Sequence, residues 1–402
     1  MKPNTRRAAT LLAAGLLAAA ASVSVRSGQA ETPEQLASLG RLLFFDANLS
    51  EPAGQSCASC HDPAHAFTDP DASRPTSKGA HPDRFGSRNT PSAMYMADSP
   101  VFHFDAREGH YVGGQFWDGR SATLEEQAKG PFLNPVEMAN PDKRALVEKV
   151  RRAPYAGGFD SLHGRNALDE VDQAFERIVG AIAAYERSAE FRPFTSRYDA
   201  WLAGKVRFSE QELRGLRLYE DEKKGNCAAC HPSRTGPKGE PPLFTDFTYD
   251  NLGVPRHPEN PFYAQDKAYN PEGGRFIDKG LGGVVKKPGE DGKFKVPTLR
   301  NVARTAPYMH NGYFRTLRGV VAFYNDRDAR PACAAAATEA EALTRGCWPA
   351  PEVAANVNKE ELGRLGLTEQ EVDDIVAFME TLTDGYLSEA SPGSHRPAPG
   401  NR

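Results

Sequence analysis

Beyond its first 21 residues, the 402-residue chain has no apolar run long enough to cross a bilayer, which takes about 20 consecutive apolar residues. That excludes an integral membrane segment in the body of the protein. The chain also lacks an excess of positive charge. Its 49 Lys and Arg face 53 Asp and Glu, a net charge of −4, so it lacks the basic face that nucleic acid rewards. Cysteine is scarce, six in all, and so the place of each one matters. Regular periodicity is missing from 62–105 and from 232–295, where Pro, Gly, Asp and Ser recur and the chain reads as loop. What remains, 39% hydrophobic residues, suffices for two ordinary domains of about 100–200 residues each.

The first thirty residues read as a secretory signal. Lys2, Arg6 and Arg7 make a basic start, Ala8 to Ala21 an apolar stretch, and Gly28-Gln29-Ala30 a small-residue cleavage site, which starts the mature chain at Glu31. An uncleaved anchor is the alternative, disfavoured because the apolar stretch is short. Cleavage removes four cations and leaves 45 Lys and Arg against 53 Asp and Glu, near −8. Such a surface suits a basic electron-carrier partner. Export places the protein in the periplasm, where disulfides persist.

Four of the six cysteines lie in two copies of one pattern, Cys57-Ala58-Ser59-Cys60-His61 and Cys227-Ala228-Ala229-Cys230-His231. C-x-x-C-H is the attachment pattern of c-type haem: the thiols form thioethers to the porphyrin vinyls and the adjacent His places a nitrogen on the iron. One copy alone could be chance or half a zinc site; two in an exported chain point to two covalent haems. Cys333 and Cys347 remain. They are read as a disulfide, worth about 3 kcal/mol on the chain-entropy account, with two separate thiols as the alternative.

The helical segments are short and well marked. Thr32-Pro33-Glu34-Gln35 opens a helix with Leu36, Leu39 and Leu43 on one face. Ser121 or Thr123 starts a second through Gln127, which Gly130-Pro131 is expected to break. The turn from Asn134 to Met138 then presents Glu137. Further helices are read over 142–152 and 168–188, the latter with a Val171, Phe175, Ile178, Ile182, Tyr185 core stripe. Residues 192–199 look like a domain junction. Capping boxes at Ser209 and Thr368 open two more helices, and Leu317 to Tyr324 reads as another. A capped helix followed by C-x-x-C-H occurs twice, with 170 residues between first cysteines. The expected fold is therefore mainly α: two cytochrome c-like haem domains with long irregular loops and few short strands. The boundaries are 1–30 signal peptide, 31–200 first haem domain, 201–387 second haem domain and 388–402 disordered tail, with the last helix free to pack on the first domain. Taken singly, His65, His81 and His103 are loop histidines, each able to face solvent or a haem. Trp117, among glycines, could be a plain aromatic anchor, and Glu137 a solvated charge.

Together, the twin motifs, Phe116 to Arg120, Gln127 with Gly130-Pro131, Glu137-Met138 and Val296 to Gly312 resemble the bacterial di-haem cytochrome c peroxidase and MauG family over nearly all of the chain after residue 30. The resemblance implies that the His61 haem reacts with H₂O₂, with Glu137 as the acid–base residue and Gln127 beside it. It implies that Trp117 lies between the haems as an electron bridge, and that Asn89 with the carbonyls of Thr305 and Pro307 holds one Ca²⁺, an oxygen-only set that suits that ion. Family peroxidases carry Met as sixth ligand of the second haem; the matching residue here is Tyr324, as in MauG-like proteins. Tyr324 as a core aromatic and Met309 as a sulfur ligand stay open. His81, eight residues before Asn89, matches the resting-state ligand of the peroxidases. The implied function is a periplasmic di-haem peroxidase, with MauG-like oxidation of a protein partner favoured by Tyr324. The alternatives are a cytochrome c peroxidase fed by a small cytochrome or copper protein, and a di-haem electron carrier without catalysis.

Overall fold

The computed structural model describes residues 32–386; the expected signal peptide and the tail from 388 lie outside the described residues. The first half is built on α1 (Pro33–Phe44), α2 (Leu124–Leu133), α3 (Lys143–Arg152), α4 (Ala156–His163) and α5 (Val171–Glu186). The Thr32 hydroxyl accepts from the Gln35 N–H and closes the capping box that starts α1. Leu39, Leu43 and Phe44 on its inner face meet the α5 stripe, and Phe67, Phe132 and Phe159 fill in around them.

The second half repeats the arrangement. It comprises α6 (Arg197–Leu202), α7 (Glu210–Glu220), α8 (Leu281–Val285), α9 (Leu317–Asp326), α10 (Glu339–Arg345) and α11 (Glu369–Glu380). Capping boxes at Ser209 and Thr368 start α7 and α11, which pack on one another as α1 does on α5. In both pairs the crossing needs a glycine. A Cβ on Gly40 would lie 1.8 Å from the Ala181 carbonyl oxygen, and one on Gly215 would lie 1.9 Å from that of Asp374. Only two short two-stranded ladders occur among the described residues: β1 (His103–Asp105) with β2 (His110–Val112), and β3 (Tyr249–Asp250) with β4 (Phe294–Lys295), both antiparallel.

Several local expectations differ from what forms. Helix α2 does not stop at Gly130-Pro131 but runs through Leu133. Gly130 has no Cβ to clash with the proline ring, and the helix ends within three residues, so little hydrogen bonding is lost. Helices α4, α6, α8 and α10 lie in stretches for which no helix is read from the sequence. All are eight residues or fewer, too short to show a periodic stripe. The last helix, α11, packs on α7 and α9. Its apolar face, Val372, Ile375, Phe378 and Met379, joins the cluster around Tyr219, Phe244 and Leu317. The link to the first half comes just after it: Tyr95 donates to Asp384 at 2.7 Å, as does the Thr195 N–H at 2.8 Å. Arg300, fully buried, forks onto Asp199 with two 3.0 Å bonds beside that link. Cys333 and Cys347 form the expected disulfide, which ties the insertion around Trp348.

The crossings give a direct test. Gly215→Ala, which forces a methyl into the α11 backbone, lowers the stability of the holoprotein by at least about 1–3 kcal/mol in denaturant unfolding. Gly180→Ala, where nothing lies within 4 Å, raises it by about 0.5–1 kcal/mol.

Candidate functional site

The two C-x-x-C-H segments fold into the same turn. A short 3-10 turn carries each cysteine pair, and the His N–H bonds back to the first Cys carbonyl at 2.9 Å in both. His61 Nδ1 meets the Phe67 carbonyl at 2.9 Å, and His231 Nδ1 meets that of Phe244 at 2.7 Å. Each carbonyl holds the proton on Nδ1 and leaves Nε2 as a lone-pair donor, the usual way an imidazole is prepared for a metal. Burial lowers both imidazole pKa values, which favours that neutral form. Nothing in the sequence marks Phe67 or Phe244 for this task, because the interaction uses only their backbone oxygens.

Both turns open into one continuous cavity of about 670 Å³. Cys57, Cys60, Cys227 and Cys230 are free thiols on its wall, and burial raises their pKa values. Among the described residues no three His, Cys, Asp or Glu side chains converge as a metal-ion site. Paired thiols, a neutral imidazole beside each pair, and a large shared void fit two thioether-linked haems.

Around the first motif, α2 brings Gln127, Ala128 and Pro131 to the wall, and the turn after it brings Glu137. Glu137 Oε1 accepts from Asn134 Nδ2 at 2.8 Å. Its backbone is pressed against residues 79–80: a Cβ on Gly79 would lie 2.3 Å from the Val136 oxygen. Burial raises the Glu137 pKa, opposed by the charge of Arg120 and by the Asn134 hydrogen bond. Arg120 lies 3.4 Å over the Phe116 ring and pairs with Asp118 at 2.9 Å.

Trp117 lies on the wall shared with both motifs. Its Nε1–H donates to the Asn89 carbonyl at 2.9 Å, and its own carbonyl accepts from the Lys295 N–H at 2.8 Å. The Trp117 loop is left-handed at Gly113, Gly114, Phe116 and Gly119. At Gly119 a Cβ would lie 2.3 Å from the Tyr249 hydroxyl. That is why glycines flank the tryptophan. Behind it, Arg88 bridges Asp118 and Asp278, at 2.6 Å to each. The buried Lys295 ammonium bonds the Gly114 carbonyl at 2.5 Å, and burial brings its pKa down to about 7.

Tyr324, on α9, lines the cavity with Cys227, Cys230 and His231, and so does Met309. Burial, then the two nearby thiols, raise the Tyr324 pKa. Neither His81, His65 nor His103 lines the cavity. His81 sits in the turn whose carbonyl accepts from Arg84, His65 lies 3.3 Å from Asp62, and His103 bonds the Val101 carbonyl. Asn89, Thr305 and Pro307 do come together, around a small void also lined by Asp69, Arg74 and Thr76.

The comparisons agree with this geometry. The family described as di-haem cytochrome c peroxidase matches residues 34–207. The methylamine utilization protein MauG of Paracoccus denitrificans is 42% identical over 385 residues, 94% of this chain and 95% of that one. The cytochrome c551 peroxidase of Nitrosomonas europaea is 30% identical over 382 residues, 93% and 88% of the two chains. Among solved structures, the diheme peroxidase BthA of Burkholderia thailandensis superimposes with a TM-score of 0.73 at 36% identity, covering 89% of this chain and 90% of that one. The chain belongs to the di-haem cytochrome c peroxidase and MauG family, and it is an oxidoreductase that acts on peroxide with two c-type haems.

Proposed function

We propose that the protein is a periplasmic, MauG-like enzyme that uses H₂O₂ at the His61 haem to oxidise a protein partner, with electrons passing through Trp117 and the His231 haem. The observation that carries this reading is Tyr324 on the cavity wall beside Cys227, Cys230 and His231. A phenolate on iron lowers its potential relative to a thioether and suits an iron that gives up electrons. The 42% identity to a MauG points the same way. When bound, the haems supply the redox chemistry, and the chain's residues do the rest.

Reduction of H₂O₂ to two waters consumes two electrons and two protons. Glu137 takes the proton from the near oxygen of the peroxide and returns it to the departing one, a transfer that a carboxyl of raised pKa performs well. Asn134 fixes the orientation of that carboxyl through Oε1, and Gln127 on the same wall orients the peroxide. Trp117 donates its N–H to a backbone carbonyl, a neutral acceptor with little affinity for a proton, so the indole keeps its proton while electrons pass. Asn89, with the carbonyls of Thr305 and Pro307, is proposed to bind Ca²⁺, and Asp69 on the same small void adds charge. Because Asn89 also holds the indole, the ion would stiffen the bridge. Residues 1–30 are proposed as the cleaved signal.

A cytochrome c peroxidase fed by a small cytochrome or copper protein is the second reading, favoured by relatives such as the Nitrosomonas peroxidase. His81, its expected resting-state ligand, is away from the cavity, which weighs against it. A carrier without catalysis leaves Glu137, Gln127 and Trp117 on one wall without a purpose.

Two variants test the proposal. Glu137→Gln lowers the rate of peroxide consumption by about 10²–10⁴-fold with haem content unchanged. In the wild type the rate falls as pH drops through the raised Glu137 pKa, because the base form is lost, and the variant shows no such step. Tyr324→Met raises the midpoint potential of the His231 haem in a spectroelectrochemical titration; an unmoved potential assigns the ligand to Met309.

A further inference from the structure

One buried acid on the cavity wall has no part in the chemistry above. Glu186, in the last turn of α5, is 7% exposed and lines the cavity with Cys57 and Ile182. Burial and the charges of Arg187 and Glu125, with no hydrogen bond among them, set its titration. Its own neighbour Arg187 turns outward to Glu125 of α2 at 2.6 Å. The other cations of the packed helices are engaged as well. Arg41 of α1 reaches Glu190 at 3.6 Å, Lys129 of α2 holds Glu126 and Glu176, and Lys143 of α3 holds Asp172. None of these cations pairs with Glu186 among the described residues. On the same cavity wall lies Cys57, whose thiol pKa Glu186 raises more than any other charged group does. Glu137 acts on the same sulfur, more weakly.

A carboxyl in this setting keeps its proton through neutral pH and exchanges it in mildly alkaline solution. Burial is the main cause, Glu125 adds to it and Arg187 opposes it, and together they bring the pKa to about 8. Cys57 is where the porphyrin edge is attached, so the charge of Glu186 and the charge of that haem act on each other across a low-dielectric wall. An arriving electron makes the site more negative and strengthens the hold of Glu186 on its proton. The Arg187–Glu125 pair, about half exposed, lies one residue away and connects the site to solvent.

We propose that Glu186 is the redox-linked proton site of the His61 haem, binding one proton from solvent when one electron arrives there and releasing it when the electron leaves. Each uptake adds one electron to the iron and one proton to a carboxylate oxygen, so the net charge of the buried site does not change. This rests on the reading of a covalent haem at Cys57 and Cys60. The experiment is a spectroelectrochemical titration of the holoprotein at a series of pH values, in wild type and Glu186→Gln. Haem content is counted first, and one haem in place of two would refute the di-haem reading itself. With two haems, the wild-type potential of the His61 haem falls with rising pH through the region around 8, while Glu186→Gln removes that fall and leaves the His231 haem unaltered. An equal slope in the variant overturns the proposal. Redox-difference infrared spectra of the wild type give an independent measurement, needing no variant. A protonated-carboxyl C=O band that gains intensity on reduction near pH 8 supports the proposal, and its absence contradicts it.

Discussion

The hydrogen bond from the Trp117 indole to the Asn89 carbonyl joins the parts of this protein that must act together. Asn89 is itself held by the His310 carbonyl through its N–H at 2.8 Å, and Trp117 by the Lys295 N–H at 2.8 Å. Three segments far apart in sequence, around 89, 117 and 295–310, thus meet at one ring. The left-handed glycines on either side of Trp117 are a consequence. The chain must turn sharply to lay an indole on a wall shared by two haem beds, and Gly119 must also admit the Tyr249 hydroxyl.

The charges around that bond are mostly paired or neutral, and the buried Lys295 ammonium, with its pKa lowered to about 7, titrates near neutrality. Asp118 and Asp278 are satisfied by Arg88; burial opposes both charges, and their mutual attraction overrides it, raising the Arg88 pKa and lowering that of Asp278. His310 is buried and stacked 3.5 Å from Phe294, and its pKa is lowered to about 3, so it is neutral. Two carboxyls of raised pKa, Glu137 and Glu186, line the same cavity.

Much of this was legible in the residues. The C-x-x-C-H pairs, the capping boxes at Thr32, Ser209 and Thr368, and the Val171–Tyr185 stripe each rest on a local rule with a fixed spacing, and each formed. Proline and glycine were over-read at 130–131, because a helix that ends within one turn loses little by containing Pro131. Short helices such as α4 and α10 were missed for want of length. The carbonyls of Phe67 and Phe244 carry no side-chain signal at all. Glu186 was hidden differently: it follows the Tyr185 end of an apolar stripe read as plain core, and only the fold reveals the cavity it faces. The crossing glycines, Gly40 and Gly215, were visible as residues but not as contacts.

The two haem motifs are alike in sequence and turn geometry, yet their surroundings differ: Glu137 and Gln127 accompany the first, Tyr324 and Met309 the second. The central claim is this inequality, one iron with an open face and one closed by a side chain. Low-temperature EPR of the oxidised holoprotein tests it most directly. The account predicts one high-spin ferric signal and one low-spin ferric signal in equal amounts. Two low-spin signals would contradict it.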